Sequence, residues 1–471
     1  MFRTKRSRVA LALVSAAAFS TVGSLAAASN AFAHEGHGQP AAPANLVTAP
    51  NTPATPSGDI SYFVAALNGK NEVPGPAGSP AVGDQDGQAV QILRLKGNQL
   101  SFAFKWKGIG APTAGHIHLG KTGTNGAVKV PFFGTALPGS VNTIVGSVTL
   151  TDKSVIDGLK ADPTNFYANL HTAEFGGGAV RGQIHKTTKP VDVNSLLRGG
   201  PLAGLMDAGQ EVDTPGKPTG DADGHATSFV RAGKTDVKYA FTWNGIGGPT
   251  NAHLHEGTVG VNGPIALDLL AAPAGLPASI TGVAGSVTGV SADLTKKINQ
   301  NPSNFYANLH TAEFTGGAVR GQLFRSGNDA AAFDTANFVA SVEKGEQIYA
   351  CTKGEDGKFT FTQNNVSATL QGNVAHSFVK DGPAGPPQWV AKDGSSVSGK
   401  LISKTPNGAD NIAELDLDLT QTGKAAGKFA NAVEVLRLNT VGGVAPAGSC
   451  DPKGQPIAKV PYQADYFFIT K

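Results

Sequence analysis

The chain has 471 residues, of which 15 % are charged, and its formal net charge is +3. This length allows about three domains of ~150 residues each, and the small charge argues against a nucleic-acid partner. Gly (61 residues) and Pro (29 residues) make up about 19 % of the chain, which suits short strands joined by tight turns rather than low-complexity disorder.

Residues 1–33 predict a signal peptide. The cationic segment MFRTKRSR precedes the apolar segment VALALVSAAAFSTVGSLAAA, and AFA supplies small residues for cleavage after Ala33. An uncleaved anchor is the alternative, because the apolar segment approaches the ~20 residues that span a bilayer. No later run is long and apolar enough for a span, so the mature protein is expected to be secreted and extracellular, or associated with the cell surface.

Residues 34–58 are rich in Ala, Pro and Thr, which predicts a flexible linker. Cleavage after Ala33 would give the mature terminus HEGHG. There the amine and imidazole of His34 could bind one metal ion, assisted by His37.

Two segments, 59–188 and 201–327, are copies of one domain joined by a linker at 189–200. FKWKGIGAPTAGHIHLG matches FTWNGIGGPTNAHLHEG, and NFYANLHTAEFGGGAVRGQ matches NFYANLHTAEFTGGAVRGQ, at an offset of 137–139 residues. QLSFAFKW, NFYANLHT and AVRGQIH alternate between apolar and polar residues, as half-buried strands do. One helical turn is expected at 154–163 and one at 293–302, each ended by proline.

The segment 328–471 predicts a third domain, because AELDLDLT and AVEVLRLNT are alternating strands and a DG turn joins two others. Its two cysteines, Cys351 and Cys450, are the only ones in the chain. An even number of cysteines in an exported protein favours a disulfide. The predicted fold class is therefore mainly β: two tandem antiparallel sandwich or barrel-like repeats and a third β-rich domain.

Each repeat contains three histidines that recur in its copy. His116 and His118 lie two residues apart, as do His253 and His255, so each pair points to one face of a strand. His171 and His310 lie on the polar face of a later strand. If those strands are neighbours, three imidazoles converge in each repeat, which is the ligand set of an open zinc site and is also acceptable to copper.

The same faces carry other polar residues, which leaves two alternatives to a metal site: a structural cluster or a recognition surface for a polar ligand. A guanidinium beside a metal ion needs an intervening carboxylate. Glu174 and Glu313 could supply that carboxylate, or they could simply pair with the arginines. Buried polar groups need such partners. The candidate cluster residues are Asn169, Glu174 and Arg181 in the first repeat and Asn308, Glu313 and Arg320 in the second.

Three further histidines and one tryptophan do not belong to the repeated set. His185 and His225 have no histidine at the matching position of the other copy and are expected at the surface. In the third segment, Trp389 is expected in the core, with His376 as a further polar candidate. No nucleophile, phosphate-binding or paired-carboxylate motif occurs, so no enzyme activity is predicted, with metal-dependent redox chemistry as the alternative.

These residues give the chain a family resemblance. EVP, GIGAPTAGHIHLG, NGAV and NFYANLHTAEFGGGAVRGQ resemble CHRD domains, the module of chordin, and the second copy departs from the pattern with EVDTP. The resemblance implies an extracellular, β-rich protein. GHIHLG also resembles the HVHEFG strand of copper/zinc superoxide dismutases, but neither repeat supplies that family's additional histidines.

The last segment resembles a secreted domain of unknown function through YAC, AHSF, GPPQW, LRLNTVGGVAPAGSCD and PYQADYFF. The favoured function is an exported, non-enzymatic binding or structural protein whose tandem repeats contact an extracellular protein or a cell-surface component. The alternative is a copper- or zinc-binding protein with one site per repeat, which copper would make redox-active.

Overall fold

A computed structural model describes residues 59–197, 200–326, 337–383 and 385–471. The predicted signal peptide, the linker at 34–58, and His34 and His37 lie outside the described residues. Within these ranges, no helix has the length and apolar character needed to cross a bilayer. The protein is mainly β, as predicted.

The first repeat is a sandwich of two antiparallel sheets. One sheet contains β1, β2, β3 and β6, the other contains β5, β4, β7 and β8, and β1 contacts β8 and β9 where the sheets meet. The bounds are β1 Ile60–Asn68, β2 Gln88–Lys96, β3 Gln99–Lys107, β4 Pro112–Leu119, β5 Val128–Phe133, β6 Val141–Thr149, α1 Lys153–Ala161, β7 Phe166–Thr172, β8 Val180–Gln183 and β9 His185–Lys186.

The second repeat has the same arrangement. Its sheets are β10–β11–β12–β15 and β14–β13–β16–β17, and β10 also contacts β17 and β18. The bounds are β10 Leu202–Asp207, β11 His225–Ala232, β12 Asp236–Asn244, β13 Asn251–Glu256, β14 Ile265–Ala271, β15 Ile280–Thr288, α2 Ala292–Gln300, β16 Phe305–His310, β17 Val319–Gln322 and β18 Phe324–Arg325. Both α-helices contain nine residues, which is longer than the single turn expected.

The core of each repeat lies between its two sheets. In the first repeat, Phe102 and Phe104 of β3 pack against Phe132, and Ile117 and Leu170 from the opposite sheet are fully buried. These are the apolar positions of the alternating segments. The polar positions of β4 and β7 therefore face away from this core.

Strands β6 and β15 join the two repeats into one eight-stranded sheet. They pair antiparallel, with Val283 opposite Ile144, and each strand has a glycine where the backbone of the residue before the other strand passes close to it. A Cβ atom on Gly146 would lie 1.9 Å from the Ser279 carbonyl oxygen, and one on Gly285 would lie 2.0 Å from that of Ser140. The two repeats thus meet in a near-symmetric interface between equivalent strands. The strands can approach this closely because Gly146 and Gly285 have no side chains.

The C-terminal segment is a closed barrel of eight antiparallel strands in chain order. The bounds are β19 Phe338–Lys353, β20 Phe359–Leu370, β21 Val374–Phe378, β22 Pro387–Val390, β23 Ser396–Thr405, β24 Glu414–Gln421, β25 Ala432–Gly442 and β26 Ile457–Thr470. Closure comes from β19 pairing with β26. The predicted disulfide between Cys351 and Cys450 is confirmed.

The barrel packs on the outer face of the first repeat. Leu436, Leu438, Phe467 and Ile469 of β25 and β26 share a core with Val64, Ile92 and Ala103, and the linker adds the 3-10 helix Val193–Leu197. Glu434, fully buried, accepts hydrogen bonds from the backbone N–H groups of Thr188 (3.0 Å) and Lys189 (2.9 Å). The linker is therefore a packed part of the interface.

His185 also belongs to this interface, so the expectation of a surface position was wrong. Its side chain is buried, and Nε2 lies 3.4 Å from Glu414 Oε2 in the barrel. Phe324, at the matching position, is exposed. The two repeats differ here because only the first is covered by the barrel.

Asp416 is expected to make this interface weaken as the pH rises. Burial, and then the neighbouring Glu434, raise the pKa of Asp416 from 3.8 to about 8, so the folded protein retains a proton that the unfolded chain has lost. Stability should therefore fall as the pH rises from 3.8 towards about 8, by up to about 1.4 kcal/mol per pH unit for one group. Burial lowers the pKa of His185 below its ordinary 6.5. This histidine therefore reduces stability as the pH falls below 6.5, which is the opposite direction to the effect of Asp416.

The measurement is the melting temperature between pH 7 and 8.5 for the wild type, Asp416→Asn and the exposed-site control Asp410→Asn. An asparagine retains a hydrogen-bond donor for Glu434 without a titrating proton, so Asp416→Asn should flatten the decline. Asp410→Asn should retain it. Parallel curves for the wild type and Asp416→Asn would refute the assignment.

Candidate metal centre

Three imidazoles of the first repeat come together on the outer face of β4 and β7. In the strand register, His118 lies opposite Tyr167 and His116 lies opposite Asn169. His171 is two residues after Asn169 on the same face of β7, so it is the diagonal neighbour of His116. The ring centroids of His171 are 5.2 Å from His116 and 6.3 Å from His118. Ile117, between the two histidines of β4, is fully buried in the core, as its position in the alternation predicts.

The second repeat reproduces this arrangement. His310 lies 4.9 Å from His253 and 6.4 Å from His255 between ring centroids, and Leu254 is fully buried in the core. In each trio, one nitrogen from every histidine lies within 4.8 Å of the others. His118 and His253 are buried and the other four rings are half-buried, so each trio has one side open to solvent.

In the second repeat, the outer nitrogen of every imidazole contacts an oxygen acceptor. His255 Nδ1 lies 3.0 Å from the Gly263 carbonyl oxygen, His310 Nδ1 lies 3.2 Å from that of Thr315, and His253 Nε2 lies 3.3 Å from Asp268 Oδ1. A neutral imidazole has one N–H group, so donation outward leaves the inner nitrogen with a lone pair. Such outer hydrogen bonds orient the histidines of metal sites.

The first repeat has the same backbone acceptors, and it has a proline at the position of Asp268. His118 Nδ1 lies 2.9 Å from the Gly126 carbonyl oxygen, and His171 Nδ1 lies 3.0 Å from that of Gly176. Opposite His116, however, the strand register places Pro131, where the second repeat has Asp268 opposite His253. The two trios are therefore similar in geometry but differ in the side chain that lies opposite the first histidine of the H-x-H pair.

The inner nitrogens have the spacing of metal ligands. His116 Nδ1 lies 3.3 Å from His171 Nε2, and His253 Nδ1 lies 3.1 Å from His310 Nε2. Tetrahedral zinc with bonds of about 2.0–2.1 Å separates two ligand nitrogens by about 3.3–3.4 Å. The same distance also fits a hydrogen bond between the two rings if one inner nitrogen carries a proton.

Burial keeps the second trio unprotonated at neutral pH. Burial, and then the neighbouring His253, lower the pKa of His310 to about 4. Burial also lowers the pKa values of His253 and His255. Neutral imidazole is the form that binds metal ions.

A tyrosine ring separates each trio from the buried arginine. His118 stacks on Tyr167 with 4.7 Å between centroids, and the guanidinium carbon of Arg181 lies 3.5 Å from the centroid of the same ring. His118 reaches Tyr167 from β4 and Arg181 reaches it from β8, the strands on either side of β7. His255, Tyr306 and Arg320 repeat this stack at 4.7 Å and 3.4 Å.

Arg181 holds the loop that orients His118. Its Nη2 donates to the carbonyl oxygens of Lys121 (3.0 Å) and Thr124 (2.8 Å), and its Nη1 donates to Asn125 Oδ1 (3.1 Å). The next residue, Gly126, supplies the acceptor for His118 Nδ1. Arg320 binds the corresponding loop through the carbonyl oxygens of Thr258 and Val261. The arginines therefore position the histidines indirectly.

The expectation that Glu174 and Glu313 partner the arginines was wrong, because both are exposed hairpin residues. The nearby carboxyl groups are those of Glu72 and Glu211, which accept hydrogen bonds from Asn169 Nδ2 and Asn308 Nδ2, both at 3.3 Å. The signal was present in the sequence, since both glutamates recur at the repeat offset in NEVP and QEVD.

Burial raises the pKa of Glu72 to about 8 and that of Glu211 to about 7, although Arg181 and Arg320 oppose the shift. The two carboxyl groups therefore lie close to their titration points at neutral pH. This leaves each buried guanidinium dependent on carbonyl oxygens and a tyrosine ring for much of its stabilisation.

The remaining candidates divide between core and surface. Trp389 is buried in the barrel as predicted, and His376 stacks on it with 4.7 Å between centroids. His225 is exposed, as predicted.

Two duplicated β-sandwiches, each carrying an outward-facing histidine trio, and a separate β-barrel define the class of this protein. Family comparison identifies CHRD domains at residues 63–184 and 202–323, which together span just over half of the chain. The protein therefore belongs to the CHRD domain family. Residues 333–470 match a family described as "Protein of unknown function (DUF3455)". No curated protein and no solved structure matches significantly.

Proposed function

We propose that this is an exported, non-enzymatic binding protein in which each CHRD domain holds one zinc or copper ion through its three histidines. The first domain would use His116, His118 and His171, and the second His253, His255 and His310. The open side of each trio would leave a coordination position for water or for a group of a bound partner.

The observation that carries this proposal is the orientation of the imidazoles in the second repeat. All three outer nitrogens lie at oxygen acceptors, and His255 Nε2 is buried with no hydrogen-bond partner among the described residues. Inner lone pairs 3.1 Å apart repel each other unless a cation or a proton lies between them. A metal ion satisfies all three nitrogens at once, whereas one proton satisfies two.

The arginine of each repeat is separated from the histidines, which favours a metal site over a single mixed cluster of histidine and arginine. Tyr167 and Tyr306 lie between the guanidinium groups and the imidazoles. The Asn169, Glu72 and Arg181 contacts form the structural network, and the histidines form a second unit beside it. The structural cluster and the metal site, which were expected as alternatives, can therefore coexist in one domain.

Export and an extracellular partner are supported by the sequence. A cationic start, an apolar segment and an AFA site are typical of a secretory signal, and a disulfide is typical of oxidising compartments. The proposed partner is an extracellular protein or a cell-surface component that two linked domains contact together, since linkage raises the effective concentration of the second contact.

Metal analysis of the purified mature protein tests the proposal. Elemental analysis and calorimetric titration with zinc and with copper should give one ion per histidine trio, one ion fewer in either His171→Ala or His310→Ala, and two fewer in the double variant. The exposed residue His225 provides the matched control, and His225→Ala should retain both ions. Sub-stoichiometric binding, or two ions retained in the double variant, would refute the histidine sites.

A further inference from the structure

The C-terminal barrel contains a cavity that is unrelated to the histidine trios. Its cavity of about 540 Å³ extends from the buried residues Trp389 and Leu417 to the exposed Leu401, and apolar side chains such as Phe468 and Val342 fill the core of the barrel. Eight-stranded barrels are wide enough to hold one small ligand, and ligand pockets commonly measure about 300–1,000 Å³. The barrel therefore has room for a molecule about as large as a drug.

Two buried donors in the cavity wall have no partner. Trp389 Nε1 and Gln347 Nε2 make no hydrogen bond within the described structure, although their residues are only 1 % and 3 % exposed. The other end of the Gln347 amide is occupied, because Oε1 accepts from Gln363 Nε2 at 3.0 Å. A buried donor without a partner is costly, so these N–H groups favour a ligand that carries acceptor oxygens.

The charged side chains that line the cavity are all cationic. Arg437 points inward from β25, and Lys404 lies at the same cavity, whereas none of the cavity-lining residues in the described structure is Asp or Glu. Arg437 is held by the Ala413 carbonyl oxygen, which accepts from Nη2 at 2.7 Å and from Nε at 3.2 Å. A fixed guanidinium in an apolar wall matches a carboxylate in both charge and geometry.

Most of the remaining wall is apolar or aromatic, and Gln363 and Asn411 are its polar exceptions. The indole of Trp389 and the ring of Tyr466 meet edge to face at 5.6 Å, and Leu415 and Leu417 add aliphatic surface. Burial lowers the pKa of His376 to about 3, so this ring is neutral at physiological pH and adds no charge. The cavity thus combines one cationic end with a hydrophobic body.

We propose that the C-terminal barrel binds a small hydrophobic carboxylate, with its anionic group at Arg437 and an oxygen within reach of Trp389 Nε1 or Gln347 Nε2. The ligand class follows from the cation, the unpartnered donors and the apolar wall together. This site lies in a different domain from the histidine trios, so it does not depend on metal binding.

Titration calorimetry and tryptophan fluorescence test the proposal on the full mature chain, with 1-naphthoate and decanoate as probes and their neutral amides as matched ligands. At least one carboxylate should bind saturably with one site per chain, and its amide should bind at least tenfold more weakly. This comparison uses the wild-type protein, so it does not depend on the folding of a variant. The absence of saturable carboxylate binding, or equal affinity for acid and amide, would overturn the proposal.

Variants then locate the site. Arg437→Gln should weaken carboxylate binding at least tenfold and leave the weak binding of the amide unchanged. Lys400→Gln is the matched control, because it removes the same charge from an exposed position of β23, and it should bind as the wild type does. Equal losses in the two variants would show that the carboxylate responds to overall charge, and the assignment to Arg437 would be wrong.

Discussion

Replacement of Arg181 by alanine should lower the free energy of unfolding by about 3–5 kcal/mol, the cost expected when one member of a buried charged network is removed. Arg181 is 2 % exposed. Its loss would leave the carbonyl oxygens of Lys121 and Thr124 without their donor and would open a space beside Tyr167.

Urea unfolding of the full chain measures this effect, and two variants make it specific. Glu174→Ala removes the exposed carboxylate of the hairpin and should change stability by less than about 0.5 kcal/mol. Arg181→Lys retains the charge but loses the planar group that binds three acceptors and stacks on Tyr167, so it should recover only part of the stability. Arg181→Ala costing no more than Glu174→Ala would contradict the structural role.

Arg181→Ala also tests whether Arg181 positions His118 for metal binding. Because Arg181 holds the loop before Gly126, its loss should weaken metal binding in the first repeat, while the second repeat retains its ion. Arg320→Ala should have the mirror effect. Equal metal affinity at both trios after Arg181→Ala would show that the arginine stabilises the fold without orienting His118.

The period-two alternation of the sequence was sufficient to predict strands such as β3 and β7 and the faces of the histidines. NFYANLHT predicts that Phe166 and Leu170 face the core and that His171 faces away, and the structure agrees because a strand offers only two faces. The duplication added further support, since a residue required in both copies appears twice. Strand pairing between β4 and β7 was the one tertiary step that this argument needed.

The carboxyl partner of Arg181 could not be identified from local pattern. Glu174 is only seven residues away in sequence, whereas Glu72 is 109 residues away and reaches the site from the turn after β1. The closure of the barrel and the burial of His185 could not be predicted for the same reason. Each depends on contacts between distant segments, on which the alternation within one strand carries no information.

Removal of the disulfide should have the other large effect. Cys351 and Cys450 are 99 residues apart in sequence, and a closed loop of about 100 residues stabilises the folded state by roughly 4–5 kcal/mol in the chain-entropy account. The double variant Cys351→Ser/Cys450→Ser should lose stability of this order in urea unfolding. Reduction of the wild-type protein should give a similar loss, whereas the double variant should not respond to reductant.

The disulfide also tethers one rim of the barrel cavity. Cys450 lies in the segment between β25 and β26, where Val444 and Ala445 line the cavity and the Tyr349 hydroxyl donates to the Gly443 carbonyl oxygen at 2.5 Å. Without the covalent link, this segment is held by a few hydrogen bonds, so carboxylate binding should weaken while the two metal sites remain loaded. Equal stability and equal carboxylate affinity in the double variant would mean that the pairing of β19 with β26 is sufficient to fix both the barrel and its rim.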